Sequence, residues 1–274
     1  MGYFSWSAGY SMSGPIDPYA ENQLWDSIKD TRIQKPIVLE QGEIAETRGP
    51  NTLKVVCISD THEQLGNVEI PDGDVLIHAG DFSNNGGREQ LEIFNDLMGK
   101  QPHKHKLVIA GNHELGFDPE EDQSQRYEKD KGKGVEAGYK LLTNVTYLQD
   151  KVVEIEGVKF FGSSFHPLHG FPFYRTRAEQ MEQCWKSIPA DTDVLITHTP
   201  PMGYLDLFGT ERWGDRELLY AVEKIKPKFH VFGHVHERFG AMSNNDTIFI
   251  NAAQCSRNNS INSRPIVFYI PKRI

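Results

Sequence analysis

The sequence predicts an α/β fold of the α+β type, with sheets covered by helices, on three observations. From Leu53 onward, short runs of Val, Ile, Leu and Phe recur between helix-like stretches, the pattern of strands packed under helices. The strand-like runs outnumber the helix-like ones. Several are apolar almost from end to end, as strands buried on both faces are.

Along the chain, residues 1–50 mix aromatics, Gly, Pro and charge without sustained periodicity. They read as an N-terminal extension, a partly ordered arm that wraps the domain or is partly disordered. Residues 51–274 read as one catalytic domain, since a fold of this length often keeps a single core. Apolar strand runs fall at 55–59, 75–80, 107–111, 194–197 and 229–233. Between the second and third, residues 88–98 set Leu91, Phe94, Leu97 and Met98 on one helical face. Residues 217–225 do the same with Leu218, Leu219, Val222 and Ile225. Residues 118–134 are charged and poor in apolar side chains, which predicts a long solvated loop or an exposed helix without chemistry. Val153, Ile155, Val158 and Phe160 flank Glu156-Gly157 as in a hairpin, and 247–250 and 266–270 add two further strands.

With 11% aromatic and 24% charged residues, the composition is that of a globular protein. No apolar run approaches the ~18–20 residues needed to cross a bilayer, so no membrane partner is expected. The first residues lack a basic n-region and an apolar h-region, and Trp6 stands where a myristoylation signal wants Ser or Thr. Cys57, Cys184 and Cys255 have no metal-type or redox-type spacing, which fits a reducing, cytoplasmic setting. A net charge of -9 disfavours nonspecific nucleic-acid binding and requires that a local cation draw in any anionic substrate.

The chemistry is concentrated where five strand-like runs stop. The first leads into Asp60-Thr61-His62, the second into Asp81 and the third into Asn112-His113-Glu114. The fourth leads into His198 and the fifth into His234-Val235-His236. Ligands of open sheets gather beyond the carboxyl ends of such strands. Gly80, Gly111 and Gly233 precede three of these groups, where a missing side chain lets the chain turn and the site approach the backbone. One such Asp or His alone is well explained as a turn or cap residue. Seven together would be a costly accumulation of buried polar groups unless cations neutralised it.

The set Asp60, His62, Asp81, Asn112, His198, His234 and His236 mixes carboxylate, amide and imidazole without thiolate. That mix suits manganese, iron, zinc or cobalt. Seven side chains exceed what one catalytic ion with open positions takes, so two divalent ions sharing a carboxylate are expected, with Asp81 as the bridging candidate.

Read as D-x-H at Asp60 to His62, GD at Gly80-Asp81, GNHE from Gly111 to Glu114, His198, and GHVH from Gly233 to His236, these residues resemble the calcineurin-like metallophosphoesterase superfamily. The order and spacing match over about residues 53–270. The stretch THTPPMGYLD at 197–206 is similar to the metallophosphoesterase-domain-containing family, also called the UPF0046 family. The resemblance implies a four-layer αββα sandwich of two mixed sheets flanked by helices, with a dinuclear site at the carboxyl edges of the strands. It also implies that one metal takes Asp60, His62, Asp81 and His236 and the other Asp81, Asn112, His198 and His234. Some close relatives carry Gly at the first His of the GHxH motif; His234 is present here, which implies a fully active site. Phosphoprotein phosphatases of the superfamily carry GDxxDRG, whereas Phe82-Ser83-Asn84-Asn85-Gly86 follow Asp81 here. A doubly charged monoester therefore lacks a bidentate arginine.

The expected function is a metal-dependent phosphoric ester hydrolase, foremost a phosphodiesterase that cleaves small or cyclic nucleotide-type diesters by attack of a metal-bridging hydroxide, with manganese the first choice of metal. A phosphomonoesterase and a low-turnover nucleotide-binding regulator are the alternatives. His113 is the expected acid for the leaving group, and Asn112 and His113 the expected substrate contacts. Glu114 reads equally as a group that steadies a ligand and as a solvated strand end. His78 and His230, inside strand runs, read as packed and hydrogen-bonded. Residues 166–177 combine imidazole, aromatic and basic side chains; they read either as a loop packed on the sandwich or as a pocket wall. In the second case Phe171, Phe173 or Tyr174 would stack on a base and Arg175 or Arg177 would meet phosphate.

Overall fold

A computed structural model describes residues 20–273. The first strands are β1 (Lys35–Ile37), β2 (Thr52–Ile58), β3 (Val75–His78), β4 (His105–Val108), β5 (Thr146–Tyr147), β6 (Lys151–Ile155) and β7 (Val158–Ser163). They are followed by β8 (Val194–Thr197), β9 (Leu207–Phe208), β10 (Glu211–Arg212), β11 (Phe229–Phe232), β12 (Gly240–Ser243), β13 (Ile248–Asn251) and β14 (Ile266–Pro271). The α-helices are α1 (Ala20–Ile28), α2 (Arg88–Gly99), α3 (Glu179–Trp185) and α4 (Arg216–Ile225).

The strands form a seven-stranded sheet in the order β1-β12-β13-β11-β8-β7-β6, a five-stranded sheet in the order β14-β2-β3-β4-β5, and a separate β9–β10 hairpin. Parallel pairing joins β2 to β3 and β3 to β4, and likewise β8 to β11 and β11 to β13. Every residue of β3, β8 and β11 is buried, which accounts for their unbroken apolar runs.

Alternation of side chains across each strand sorts the apolar residues into three layers. Val55, Cys57, Ile77 and Ile109 of one sheet meet Phe160, Ile196, Val231 and Ile250 of the other. On the outer face of the five-stranded sheet, Val56, Ile58, Leu76 and Val108 pack against Leu91, Phe94 and Met98 of α2. Outside the seven-stranded sheet, Leu195 and Phe232 pack against Trp25 of α1, Met181 and Trp185 of α3, and Leu218 and Val222 of α4. Helix, sheet, sheet and helix follow one another, the four layers that the resemblance implies.

Both predicted amphipathic helices form. α4 starts at Asp215, whose carboxylate accepts from Leu218 N–H at 2.9 Å, a standard helix N-cap. The predicted hairpin is β6–β7, with Glu156 and Gly157 both left-handed at φ 49° and 77°, the backbone of a type I′ turn. Residues 118–134 form the expected loop, most of it exposed, with Asp118, Arg126 and Asp130 buried within it. They fold around a buried pair in which Arg126 donates to Glu121 at 2.5 and 2.6 Å and to Lys133 O at 2.6 Å. Composition reveals charge but not pairing, and pairing is what lets an arginine be buried.

Residues 1–19 of the predicted arm lie outside the described residues. Over the rest, α1 lays Trp25 into the outer core, Arg32 grips Glu223 at 2.7 and 3.1 Å, and β1 adds an antiparallel edge to β12. Ile44 reaches the core between the sheets.

Candidate metal centre

The five predicted runs are β2, β3, β4, β8 and β11, three in one sheet and two in the other, and the residues that follow them meet at one end of the sandwich. A parallel bridge from Ser59 to Ala253 joins the two sheets beside that end. Asp60, His62, Asp81 and His234 all have left-handed backbone, at φ 51°, 41°, 54° and 68°. Non-glycine residues rarely take this conformation, and it clusters where function demands it. Gly80 is left-handed too, at φ +96°, and a side-chain carbon there would lie 2.7 Å from His198 Nδ1. At Gly233 the added carbon would collide with the Asp60 carboxylate. The glycines therefore make room for the candidate ligands themselves.

The structure brings all seven candidate ligands together. Asp60 Oδ1 lies 3.2 Å from His236 Nε2, and His236 Nε2 lies 3.3 Å from His62 Nε2. Asp81 Oδ2 stands 3.9 Å from His62 Nε2 and 3.3 Å from His198 Nε2. His198 Nε2 is also 3.1 Å from Asn112 Oδ1, and the rings of His198 and His234 are 5.0 Å apart. Three overlapping groups have ligand atoms within 4.8 Å of one another: Asp60, His62 and His236; His62, Asp81 and His113; and Asp81, His198 and His234. His113 thus sits closer to the ligand atoms than its position after Asn112 suggests.

Electrostatics fit a cationic occupant. Burial opposes ionisation of Asp60, yet its hydrogen bond to His236 and the charges of His236 and His198 hold its carboxyl well below the usual range. Asp81 is likewise held low against burial, chiefly by the charges of His198 and His113. Burial pulls His198 down, but Asp81 overrides it and raises the imidazole to about 9. Burial alone dominates at His62, lowered to about 3, and at His234, held well below its ordinary value. Two buried carboxylates are kept ionised here, while burial keeps His62 and His234 neutral, and divalent ions suit this donor set.

Backbone carbonyls and one buried glutamate orient the set. His198 Nδ1 meets Ala79 O at 2.9 Å and His236 Nδ1 meets Ser256 O at 3.2 Å, so in each ring Nε2 faces the site. Glu114 is fully buried and accepts from Asp81 N, Ser83 N, Ser83 Oγ and Gly111 N at 2.6–2.9 Å. It clamps the turn that presents Asp81 to the turn that presents Asn112, which decides between the two sequence readings of this residue. Burial and the Asp81 charge raise its carboxyl to about 7 against these donors. His78 and His230 are buried as expected, each bonded through Nε2 to a threonine beside a candidate ligand. His78 meets Thr61 at 2.9 Å and His230 meets Thr197 at 2.8 Å. The sequence offered no signal for these threonine partners, because the pairs form between neighbouring strands.

Of the side chains in 166–177 singled out for substrate, Phe171 reaches the site, joined by His166, while Tyr174, Arg175 and Arg177 are engaged elsewhere. The Phe171 ring is 5.7 Å from His113 and the His166 ring 6.5 Å from His234. Phe171 and Phe173 are buried. Arg175 pairs with Asp118 and Glu120 at 3.0 and 2.8 Å and stacks on Phe165. Tyr174 packs against His169, and Arg177 lies 3.6 Å from Glu21 and from Asp215.

A two-sheet sandwich that presents carboxylates, imidazoles and an amide from strand ends defines the class of metal-dependent phosphoesterases. The family model for calcineurin-like phosphoesterases matches residues 53–238, and the chain belongs to that family. Membership supports a hydrolase that uses divalent metal. Among curated relatives, UPF0046 protein K07C11.7 of Caenorhabditis elegans is 65% identical, the alignment covering 94% of this chain and 90% of the relative. The human Metallophosphoesterase domain-containing protein 1 is 36% identical over 93% of this chain and 84% of its own. A solved crystal structure with 16% identity aligns with a TM-score of 0.54 over 73% of this chain and 90% of its own, a likeness of fold. No described helix is long and apolar enough to cross a membrane.

Proposed function

We propose that the chain is a dinuclear metal-dependent phosphodiesterase acting on small or cyclic nucleotide-type diesters in the cytoplasm. The observation that carries this reading is the position of Asp81 Oδ2 between His62 and His198, at 3.9 and 3.3 Å: one carboxylate shared by two ligand sets. Asp60, His62, Asp81 and His236 would hold one ion, and Asp81, Asn112, His198 and His234 the other. When bound, two divalent cations, manganese foremost, lower the pKa of water and neutralise charge on phosphoryl oxygens.

The chain's own residues supply position and protons. His113 N–H donates to Asp81 Oδ1 at 2.9 Å, and its Nδ1 meets Asn84 O at 2.9 Å, which fixes the ring. Nε2 is the atom assigned to deliver the proton to the leaving oxygen. Asn112 orients substrate beside His198. Tyr174 and Arg175 act on substrate through the loop they anchor, whose Phe171 lies against His113. The diester preference rests on Phe82-Ser83-Asn84-Asn85 after Asp81, a stretch with no guanidinium to pair with a doubly charged monoester.

The test is hydrolysis of bis-p-nitrophenyl phosphate and p-nitrophenyl phosphate by chelator-stripped protein with manganese restored, beside the Asp81→Asn variant. Diester cleavage should depend on manganese, exceed monoester cleavage and fall at least ~100-fold in the variant. Monoester preference would make the chain a phosphomonoesterase, and metal-independent or absent turnover would refute the catalytic reading.

A further inference from the structure

A cleft of about 260 Å³ lies between residues 104–106 and 143–146, at the opposite end of the strands from the candidate metal centre. β4 and β5 run parallel, with Leu107 beside Thr146 and Val108 beside Tyr147, so both strands begin at the cleft while β4 points towards Asn112. No carboxylate lines it, although the chain carries a net charge of -9. What lines it is rich in donors with protons to spare. Lys106 Nζ donates to Met98 O and Gln101 O at 3.0 and 3.2 Å, which uses two of an ammonium's three N–H groups. Thr143 Oγ1 accepts from Asn95 Nδ2 at 3.2 Å, which leaves its own O–H to donate. The Lys104 ammonium and the Thr146 hydroxyl, on exposed residues, have no hydrogen-bond partner among the described residues. One wall is fastened to α2, because Asn144 N and Nδ2 donate to Asn95 at 2.8 and 3.0 Å. Burial first, and the Lys104 charge next, hold His105 below its ordinary value against Glu156 and Asp74.

We infer that this cleft is a second anion site, which binds a small free oxyanion of the phosphate class between the Lys104 and Lys106 ammonium groups and the Thr143 and Thr146 hydroxyls. Three features argue for that occupant. A phosphate dianion accepts hydrogen bonds on every oxygen, which matches a lining of ammonium and hydroxyl donors, and lysine binds phosphate as a compact point charge. The cleft falls slightly below the ~300–1,000 Å³ of drug-sized pockets, so it suits a compact ion. An extended polyanion would also meet the repulsion of the acidic surface beyond the cleft, whereas a single small ion meets only the local cations. A lipid headgroup is disfavoured, because none of the exposed large apolar side chains, Ile33, Val38, Ile93, Val152 and Tyr220, lines the cleft, and an ammonium pair without apolar anchors gives only weak hold on a membrane surface. The site stands apart from the metal centre, and the inference is independent of the phosphodiesterase reading.

Equilibrium dialysis against labelled inorganic phosphate tests the site on the manganese-loaded full chain and on its Asp81→Asn variant, which removes the shared carboxylate of the metal centre and leaves the cleft alone. Both should show a class of bound phosphate that Lys104→Met weakens at least ~fivefold and that Thr146→Val weakens less. Lys224→Met, at an exposed position on α4 outside the other sheet, removes the same charge elsewhere and should leave that class unchanged. Hydrolysis of bis-p-nitrophenyl phosphate by Lys104→Met should equal that of the wild type. Should Asp81→Asn fold poorly, the comparison of Lys104→Met with Lys224→Met in the otherwise native chain carries the test. Phosphate binding that vanishes entirely in a folded Asp81→Asn protein, that is untouched by Lys104→Met, or that Lys224→Met weakens as much as Lys104→Met does would overturn the inference.

Discussion

Single residues in this fold carry unfavourable conformations and charges that their neighbours offset. Left-handed backbone at Asp60, His62, Asp81 and His234 costs on the order of 1–3 kcal/mol per residue, and the hydrogen bonds around Glu114 and Asp60 hold it in place. Away from the centre, Asp215 is the clearest case. Burial first, and the Glu217 charge next, raise its carboxyl from 3.8 to about 7, while Oδ2 accepts from Trp185 Nε1 and Leu218 N at 2.7 and 2.9 Å. Between pH ~4 and ~7 the native state keeps a proton that the unfolded chain releases. The associated stability is therefore complete below the unfolded pKa and lost as pH rises through 7. An amide can accept the same two bonds without titrating. Urea unfolding of Asp215→Asn should thus show a flatter dependence across pH 4–7, with the variant gaining on the wild type by a few kcal/mol at most. Parallel profiles would place the proton elsewhere.

At the scale of elements, the described part of the arm does more than cover a sheet. Asn22 of α1 donates to Thr210 O at 2.7 Å and accepts from Arg212 N at 3.0 Å, bracketing the β9–β10 turn. Arg212 in turn stacks on Trp25 and pairs with Asp206 at 2.5 Å. The hairpin that carries Phe208 is therefore fastened from α1. Replacing Asn22 with Ala removes two hydrogen bonds of ~1 kcal/mol each. Hydrogen exchange in a peptide spanning 205–214 should rise several-fold while the strands of the central sheets keep their protection. Unchanged exchange there would show that α1 does not hold the hairpin.

At the scale of the molecule, the candidate centre lies where two sheets packed on an apolar core come together, beside the Ser59–Ala253 bridge. Three ligand-bearing strands belong to one sheet and two to the other, so ions bound between them stabilise the native sandwich and have no equivalent site in the unfolded chain. Manganese at about 100 times its dissociation constant stabilises by ~2.7 kcal/mol, which for a chain of this size raises Tm by roughly 5–10 °C over chelator-treated protein. An equal Tm with and without manganese, measured by calorimetry, would argue against a site that spans the sheets.

The sequence by itself determined β2, β3, β4, β6, β7, β8, β11, β13 and β14, the amphipathic helices α2 and α4, the β6–β7 turn and the candidate ligands. Each of these is written in local periodicity, or in a run that ends at Asp, Asn or His. It also marked Gly80, Gly111 and Gly233 as places of close approach. Tertiary structure alone decided which sheet each strand joins, that Glu114 clamps two turns, and that Arg126 is buried against Glu121. It also decided that Phe171, rather than Tyr174 or Arg175, lies against His113, and that residues 104–106 meet residues 143–146 at the start of β4. The reason is common to all of these: they are pairings between residues distant in the chain, and periodicity says which face a residue takes but not what it meets there.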